Sequence, residues 1–304
     1  MPKTSLRVIA VRACVAALTA AASAALLAQQ PSNLVTFSDN FTPGPAALWN
    51  NYAGLWAASE GQYYAQVPND SPLTFTGLPF LVADYTLTVT TVDGDGGIWL
   101  RCDENGPYGN YILLVIGGAN YGQGGRGGTS GASIYFATQS VSGINEVDNV
   151  VTPGDTYTVT VTARGGTYSV YLDGSPTPVD TFVDSTFKAG QVGLYDDQPN
   201  TITGNGSGPP TTFSNFSLTG TAVPPQVSGY TPDSGKAGAR VKIAGINLQL
   251  ATAVSFNGAA AQFSQEYPST EIVAIVPDQA TTGPIEVVTP IGTATSKTAF
   301  IVVP

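Results

Sequence analysis

The sequence predicts an all-β protein, and three features lead to that prediction. Short runs rich in Val, Thr, Tyr and Ile are separated by clusters of turn-forming residues, and the 304 residues include 35 glycines and 22 prolines. Beyond the N-terminal segment, no long window has the spacing of apolar residues that an amphipathic helix requires. Charged residues make up only 11% of the chain, whereas long-helix and coiled-coil proteins are rich in Glu, Lys and Arg.

Residues 1–29 are typical of a secretory signal peptide. Lys3, Arg7 and Arg12 form a basic start, an Ala- and Leu-rich run follows, and small residues offer a cleavage site after Ala28. The run is too short and too rich in Ala for a membrane span, although an uncleaved N-terminal anchor is the alternative. We therefore expect a secreted or cell-surface protein with no membrane span after cleavage.

The composition excludes several classes of site. The chain has no histidine, which rules out a Ser-His-Asp triad, a Cys-His dyad and any His-ligated zinc. A net charge of −10 disfavours nucleic acid as a partner, because phosphate backbones repel an acidic surface. Cys102 is the single cysteine left after signal cleavage, so it has no partner for an internal disulfide. We expect it to be a small buried residue that shares a strand face with Ile98 and Leu100.

The clearest element is a β-hairpin over residues 156–174. Apolar and Thr residues alternate along its first half, which predicts one buried and one polar face. Gly165 and Gly166 form the turn, since glycine tolerates positive φ. The return strand alternates in the same way and ends at Asp173-Gly174. Further strands are expected at residues 85–92, 98–102, 111–116, 133–136, 191–195 and 213–218.

Residues 221–226 have no strand pattern and divide the mature chain into two predicted domains, 33–220 and 227–304. The first resembles the concanavalin A-like jelly-roll domains of the laminin-G and glucanase type. The segments that carry the resemblance are 37–41, Trp49, Trp56, 61–63, 97–101, 110–113, the 157–174 hairpin, 190–195 and 212–216. The resemblance implies a two-sheet jelly-roll sandwich whose concave face often binds sugar, with Trp49 and Trp56 in its core.

The second domain resembles the IPT/TIG immunoglobulin-like module. The matching segments are 231–235, 238–248, 254–258, 272–277, 283–287 and 292–296. The resemblance implies a smaller immunoglobulin-like β-sandwich that acts as a spacer or as an interaction domain with a protein partner.

Glucanases of the jelly-roll type carry a Glu-x-Asp-x-x-Glu strand, because retaining hydrolysis needs two carboxyl groups about 5 Å apart. Here Glu146 and Asp148 match that motif, but Val151 occupies the second glutamate position. We expect this stretch to be a solvated loop without glycosidase activity. Secreted hydrolases of 3-keto-disaccharides are also similar, and Arg101 matches their glycine-rich strand loosely; this is the enzymatic alternative.

Candidate ligand-binding residues surround the strand at 98–102. Alternation predicts that Trp99, Arg101 and Asp103 share the face opposite Ile98 and Leu100, where an indole ring would stack on a sugar and polar groups would bind its hydroxyls. The alternative is that Trp99 belongs to the core between the sheets. Loop residues add further candidates, namely Tyr108, Asn120 and Tyr121.

Calcium is the one cofactor that the sequence raises, because oxygen-rich side chains suit this cation. The expected site lies where the first and last strands of the jelly roll meet, between Asp39 and Asn215, as in some calcium-bearing relatives; Asp196-Asp197 is another oxygen cluster. The alternative is that both side chains cap strand ends.

Taken together, these features predict a secreted, non-catalytic protein that binds an extracellular or cell-surface carbohydrate or acts in adhesion. Two alternatives remain: a secreted glycoside hydrolase, and a purely structural scaffold of an exported assembly.

Overall fold

The computed structural model describes residues 33–67, 74–92, 96–103, 109–117, 132–142, 144–152, 154–196, 211–265 and 271–304. The signal segment lies outside these ranges, so its cleavage and the export of the chain stay predictions. Within them the chain is built of strands β1–β24 and a short 3-10 helix, Leu248–Leu250, which confirms the all-β prediction. In the same ranges, helices of the length and hydropathy needed to cross a membrane are absent.

The first sheet has eight strands. In spatial order these are β13 (Asp180–Val183), β12 (Thr167–Leu172), β11 (Thr156–Arg164), β6 (Val82–Val92), β15 (Thr212–Ala222), β4 (Gln62–Val67) and β3 (Leu55–Ser59), with β1 (Leu34–Asp39) also paired to β15. The β11–β12 hairpin matches the sequence prediction, and its turn glycines adopt φ values of 54° and 97°.

The second sheet has seven strands. In spatial order these are β10 (Ile144–Val151), β9 (Ala132–Thr138), β8 (Tyr111–Gly117), β7 (Gly96–Cys102), β14 (Gln191–Asp196), β5 (Phe75–Gly77) and β2 (Asn50–Ala53). An Asn145 Nδ2–H donates to the Thr181 carbonyl at 3.0 Å and thereby ties edge strand β10 to edge strand β13 of the other sheet.

The two sheets enclose the main hydrophobic core. Leu87 and Val89 of the eight-stranded sheet meet Ile98 and Leu114 of the seven-stranded sheet, and all four are fully buried. The same core contains two tryptophans that the sequence placed there, Trp49 and Trp56. Face-to-face packing of two such sheets makes this part of the chain a β-sandwich, as the sequence predicts.

A third sheet follows toward the C-terminus, again with seven strands. In spatial order these are β16 (Gln226–Thr231), β18 (Arg240–Ile246), β21 (Glu271–Ile275), β20 (Ala259–Gln265), β19 (Ala253–Phe256), β22 (Ile285–Thr289) and β23 (Gly292–Thr295), and β17 (Ser234–Gly235) pairs in parallel with β24 (Ile301–Val302). This C-terminal sandwich, residues 226–304, encloses its own core around Val241, Ile243 and Phe256. Its assignment as an IPT/TIG module stays a prediction.

The segment between the sandwiches is shorter than the sequence suggested. Strand β15 continues to Ala222 and β16 begins at Gln226, so only residues 223–225 lie between strands. Residues 33–304 form one compact unit. The division of the chain into domains 33–220 and 227–304 stays a prediction.

Candidate ligand-binding face

The second sheet, which contains β7, β8 and β14, has a further apolar cluster on the face directed away from the eight-stranded sheet. We call this the outer face. On β8, Ile112, Leu114 and Ile116 point into the sandwich core, so Leu113 and Val115 point outward. The cluster contains Ala53, Phe75, Trp99, Cys102, Leu113, Val115, Ala137 and Tyr195, with Tyr52, Tyr111 and Tyr135 half-buried at its margin. The outer face is therefore an apolar floor with a tyrosine rim.

Trp99 lies at the centre of this floor. It is on the outer face, as alternation predicts, but its side chain is 0% exposed. Its ring makes edge-to-face contacts with Tyr111 at 4.9 Å, with Tyr195 at 5.5 Å and with Phe75 at 5.5 Å. The indole N–H donates to the Thr74 carbonyl at 3.1 Å. The prediction of an exposed stacking platform is thus wrong, because neighbouring aromatic rings already surround the indole.

A β-bulge in β7 separates Arg101 from Trp99. The β7–β8 register passes from Trp99↔Leu113 directly to Arg101↔Ile112, so Leu100 is an extra residue without a partner in the ladder. The extra residue reverses the alternation that follows it: Leu100 faces the sandwich core, and Cys102 joins Trp99 on the outer face. The expectation that Cys102 shares a face with Ile98 and Leu100 is therefore wrong.

Arg101 points into the sandwich and is 1% exposed. Its Nη1 donates to the Val82 carbonyl at 3.0 Å and its Nη2 to the Ala83 carbonyl. The guanidinium carbon lies 4.8 Å from the ring centre of Tyr85 and 5.6 Å from that of Tyr168, which are cation–π distances. Burial raises the pKa of both phenols, so they stay neutral beside the cation. Arg101 thus binds the backbone at the start of β6 inside the sandwich, and the prediction that it binds ligand beside Trp99 is wrong.

Cys102 is buried and unreactive in this setting. Burial raises the pKa of its thiol well above the ordinary value, and the nearby charge of Asp103 raises it further. The thiolate that nucleophilic chemistry needs is therefore disfavoured. The expectation of a small buried cysteine is confirmed.

Asp103 is half-buried where β7 ends and holds the two ends of the following loop together. Its Oδ2 accepts a hydrogen bond from the Asn110 N–H at 2.8 Å, and its own N–H donates to the Asn110 carbonyl at 3.1 Å. Gly109 is required there because a Cβ would collide with the Asp103 carboxylate. The other loop candidates, Tyr108, Asn120 and Tyr121, lie outside the described residues, so their role in binding stays a prediction.

Four side chains of the outer face with polar groups form a row across the sheet, Tyr52–Gln191–Cys102–Tyr111. Gln191 pairs with Cys102, which pairs with Tyr111 on the next strand. Gln191 is 2% exposed, and its Nε2 donates to the Tyr52 hydroxyl at 2.8 Å. Its Oε1 is buried and accepts no hydrogen bond from the described residues. The Tyr52 ring stacks on Phe75 with centres 4.9 Å apart.

Sequence reasoning missed this row. The available signal was Gln191 itself, a single amide in a strand that is buried on both faces. A buried polar side chain normally has a specific hydrogen-bond partner, so a buried glutamine in a strand indicates a polar site on that face of the sheet.

The stretch expected to be a solvated loop, residues 146–151, lies within edge strand β10 (Ile144–Val151), so that expectation is wrong. Register shifts relative to β9 on both sides of Val147 make the strand irregular, which hid its pattern in the sequence. Glu146 is exposed and accepts a hydrogen bond from the Ser133 hydroxyl at 3.1 Å. Val151, at the second glutamate position of the glucanase motif, is buried in the sandwich core.

Asp39 organises the loop that follows β1. Its Oδ1 accepts from the Phe41 N–H at 2.7 Å, and its Oδ2 accepts from the Ala46 N–H at 2.7 Å and the Trp49 indole N–H at 2.8 Å. Asn215 is exposed, with φ 50°, beside the register partner of Asp39. Within the described ranges, no group of three or more acidic or Cys side chains is placed to hold a metal ion. Calcium between Asp39 and Asn215 stays a prediction, and Asp197 lies outside the described residues.

No protein-family model matches the chain, and a search of curated proteins found no relative. Several solved structures have a similar architecture. The carbohydrate binding module CBM66 from Bacillus subtilis is 15% identical, with a TM-score of 0.37, over 58% of this chain and 93% of that one. Basic winged bean lectin with Tn-antigen is 12% identical, with a TM-score of 0.45, over 62% and 99%.

Bacillus licheniformis β-glucanase is 11% identical, with a TM-score of 0.42, over 63% of this chain and 100% of that one. At these values the similarities assign neither a ligand nor an activity to this chain.

Proposed function

We propose that this chain is a non-catalytic carbohydrate-binding protein and that the Tyr52–Gln191–Cys102–Tyr111 row is its ligand site. The observation that carries the proposal is the carbonyl oxygen of Gln191, which is buried on the outer face and accepts no hydrogen bond from the described residues. A buried acceptor without a donor costs about 1–3 kcal/mol, so a ligand hydroxyl that donates to it removes a cost from the free protein.

The flanking tyrosines suit the rest of a sugar. Pyranose rings have an apolar face and a rim of hydroxyl groups, and half-buried tyrosine rings offer both an apolar face and a hydroxyl. Gln191 and Tyr111 are two strands apart, about 10 Å, which leaves room for a sugar ring between the amide and the phenol.

The surrounding charges favour a neutral sugar. Asp103 lies beside Cys102, a central member of the row, and Glu146 accepts a hydrogen bond from Ser133 at the far side of the same sheet. The cation nearest in sequence, Arg101, points into the sandwich core. A carboxylate or sulfate on the ligand would meet like charge, which disfavours acidic sugars.

Two observations support binding without catalysis. Val151, which is buried in the sandwich core, occupies the second glutamate position of the glucanase motif, so the second carboxylate is missing from that motif. Cys102 keeps its proton and is therefore a poor nucleophile. In the same proposal the chain acts after export, on extracellular or cell-surface carbohydrate, with the C-terminal sandwich as a spacer.

A glycan array of neutral and acidic sugars, followed by calorimetry on the best ligand, tests the proposal. Gln191→Leu removes the acceptor while keeping the volume, so we expect at least about tenfold weaker binding without a loss of thermal stability. The matched control is Gln262→Leu on an exposed position of the C-terminal sandwich, which should bind like the wild type. A wild-type chain that binds no sugar, or equal affinity in both variants, contradicts the proposal.

A further inference from the structure

Residues 81–83, which we call the junction segment, connect the two sandwiches. The Leu81 N–H donates to Asn247 Oδ1 at 2.7 Å, and the Leu81 carbonyl accepts from the Val223 N–H at 2.9 Å and from Asn247 Nδ2 at 3.3 Å. Asn247 Nδ2 also donates to the Val223 carbonyl at 2.5 Å. Asn247 is 2% exposed, and the amide of this C-terminal-sandwich side chain forms hydrogen bonds with the junction segment and with Val223.

The other side of the junction segment holds the ends of β14 and β7. The Val82 N–H donates to the Gly190 carbonyl at 3.0 Å, and the Val82 carbonyl accepts from both the Gly190 N–H at 3.1 Å and Arg101 Nη1 at 3.0 Å. The Ala83 carbonyl accepts the second Arg101 bond. A Cβ at Gly190 would lie 2.9 Å from the Cys102 carbonyl oxygen, so glycine allows these backbones to approach closely.

The residues next to these contacts belong to the ligand row. Gln191 directly follows Gly190, Cys102 directly follows Arg101, and Gln191 and Cys102 are register partners. A displacement of the junction segment therefore changes the position of both central members of the row. Because close-packed interiors have low compressibility and transmit strain, we expect such a displacement to pass to these adjacent residues.

We propose that Asn247 of the C-terminal sandwich is a positioning residue for the ligand site. It holds the junction segment so that Gly190 and Arg101 set the placement of Gln191 and Cys102. The C-terminal sandwich is then part of the binding apparatus as well as a spacer. The ligand itself rests on the proposed function above, whereas the positioning rests on the hydrogen bonds of the junction segment.

The structure offers a closely matched pair of variants in the full chain, Asn247→Gly and Asn257→Gly. Both asparagines have left-handed backbones, with φ 54° and 46°, which glycine adopts without strain. Asn257 Nδ2 donates only within the C-terminal sandwich, to Thr281 Oγ1 at 2.8 Å and the Thr282 carbonyl at 3.3 Å. Ile291 of the C-terminal sandwich is buried in the core cluster of the first sandwich, and neither substitution changes this contact residue.

Hydrogen exchange of the Val82 and Gly190 amides is the first measurement. Asn247→Gly should speed both about tenfold, the loss expected when a net hydrogen bond is removed, and should weaken binding of the best array ligand by a similar factor. Asn257→Gly should change neither. Unchanged exchange in Asn247→Gly, equal acceleration in Asn257→Gly, or faster exchange with unchanged affinity would each overturn the proposal.

If the wild-type chain binds no sugar, the proposed function is wrong. The comparison of hydrogen exchange between the two variants then still tests whether Asn247 holds the junction segment. Asn247→Asp covers the case in which the glycine variant fails to fold. It keeps the acceptor for the Leu81 N–H but turns a carboxylate toward two carbonyl oxygens at neutral pH. Acidification restores a donor, so amide protection should recover as the pH falls; protection that is independent of pH would count against the role of Asn247.

Discussion

The burial of Trp99 gives a prediction that separates a structural floor from an exposed platform. Trp99→Ala removes a fully buried indole that contacts three aromatic rings and donates to the Thr74 carbonyl. Truncation of a buried Trp costs about 3–5 kcal/mol, because the lost contacts and the remaining cavity both destabilise the fold. At roughly 2–4 °C per kcal/mol for a unit of this size, the melting temperature should fall by roughly 6–20 °C.

Differential scanning calorimetry on the full chain measures this directly, with Trp99→Phe as the control. Phenylalanine keeps an aromatic ring in the floor and loses only part of the packing and the bond to Thr74, so its melting temperature should lie between those of wild type and Trp99→Ala. A Trp99→Ala variant that melts within about 2 °C of wild type would mean that the indole is exposed. The floor described above would then be incorrect.

Two further predictions concern acidic side chains. Asp39→Ala removes the acceptor for three N–H donors and should lower the free energy of unfolding, measured in urea, by about 2–4 kcal/mol. If calcium binds at Asp39, it should raise the melting temperature of the wild type but not of this variant. A wild-type melting temperature that does not change with calcium excludes the site. Burial raises the pKa of Asp180, partly opposed by the bond from the Thr181 N–H. The folded state then binds the proton more tightly, so ionised Asp180 lowers stability as pH rises through its folded pKa. Asp180→Asn should therefore melt higher than wild type at neutral pH and lose that advantage in acid, and a lower melting temperature at neutral pH would refute the sign.

Local pattern predicted the regular parts of the fold well. The β11–β12 hairpin has strict alternation and a two-glycine turn, so one window of sequence contains all the information that its structure needs. The resemblance to jelly-roll domains also placed Trp49 and Trp56 in the core correctly. In the hairpin, each residue's environment follows from its immediate neighbours along the strand.

The candidate site was less predictable, because its features depend on other strands. The bulge at Leu100 is a property of β7 paired with β8, and alternation within β7 alone assigned Arg101 to the wrong face. Tyr52, Gln191 and Tyr111 come together from three separate strands. Nothing in any one of those segments specifies that the three share a row.

The bulge in β7 also determines which side chains, Arg101 or Cys102, lie on each face of the sheet. If β7 kept Leu100 but paired with β8 without the bulge, the period of two would carry the Arg101 guanidinium to the outer face and the Cys102 thiol into the core. The outer face would then present a cation at the centre of the row, which would attract acidic groups. The presence or absence of this bulge therefore changes the polarity of the outer face more than a substitution of one of its apolar residues does, and the pairing register of β7 gives evolution or design a way to exchange that polarity.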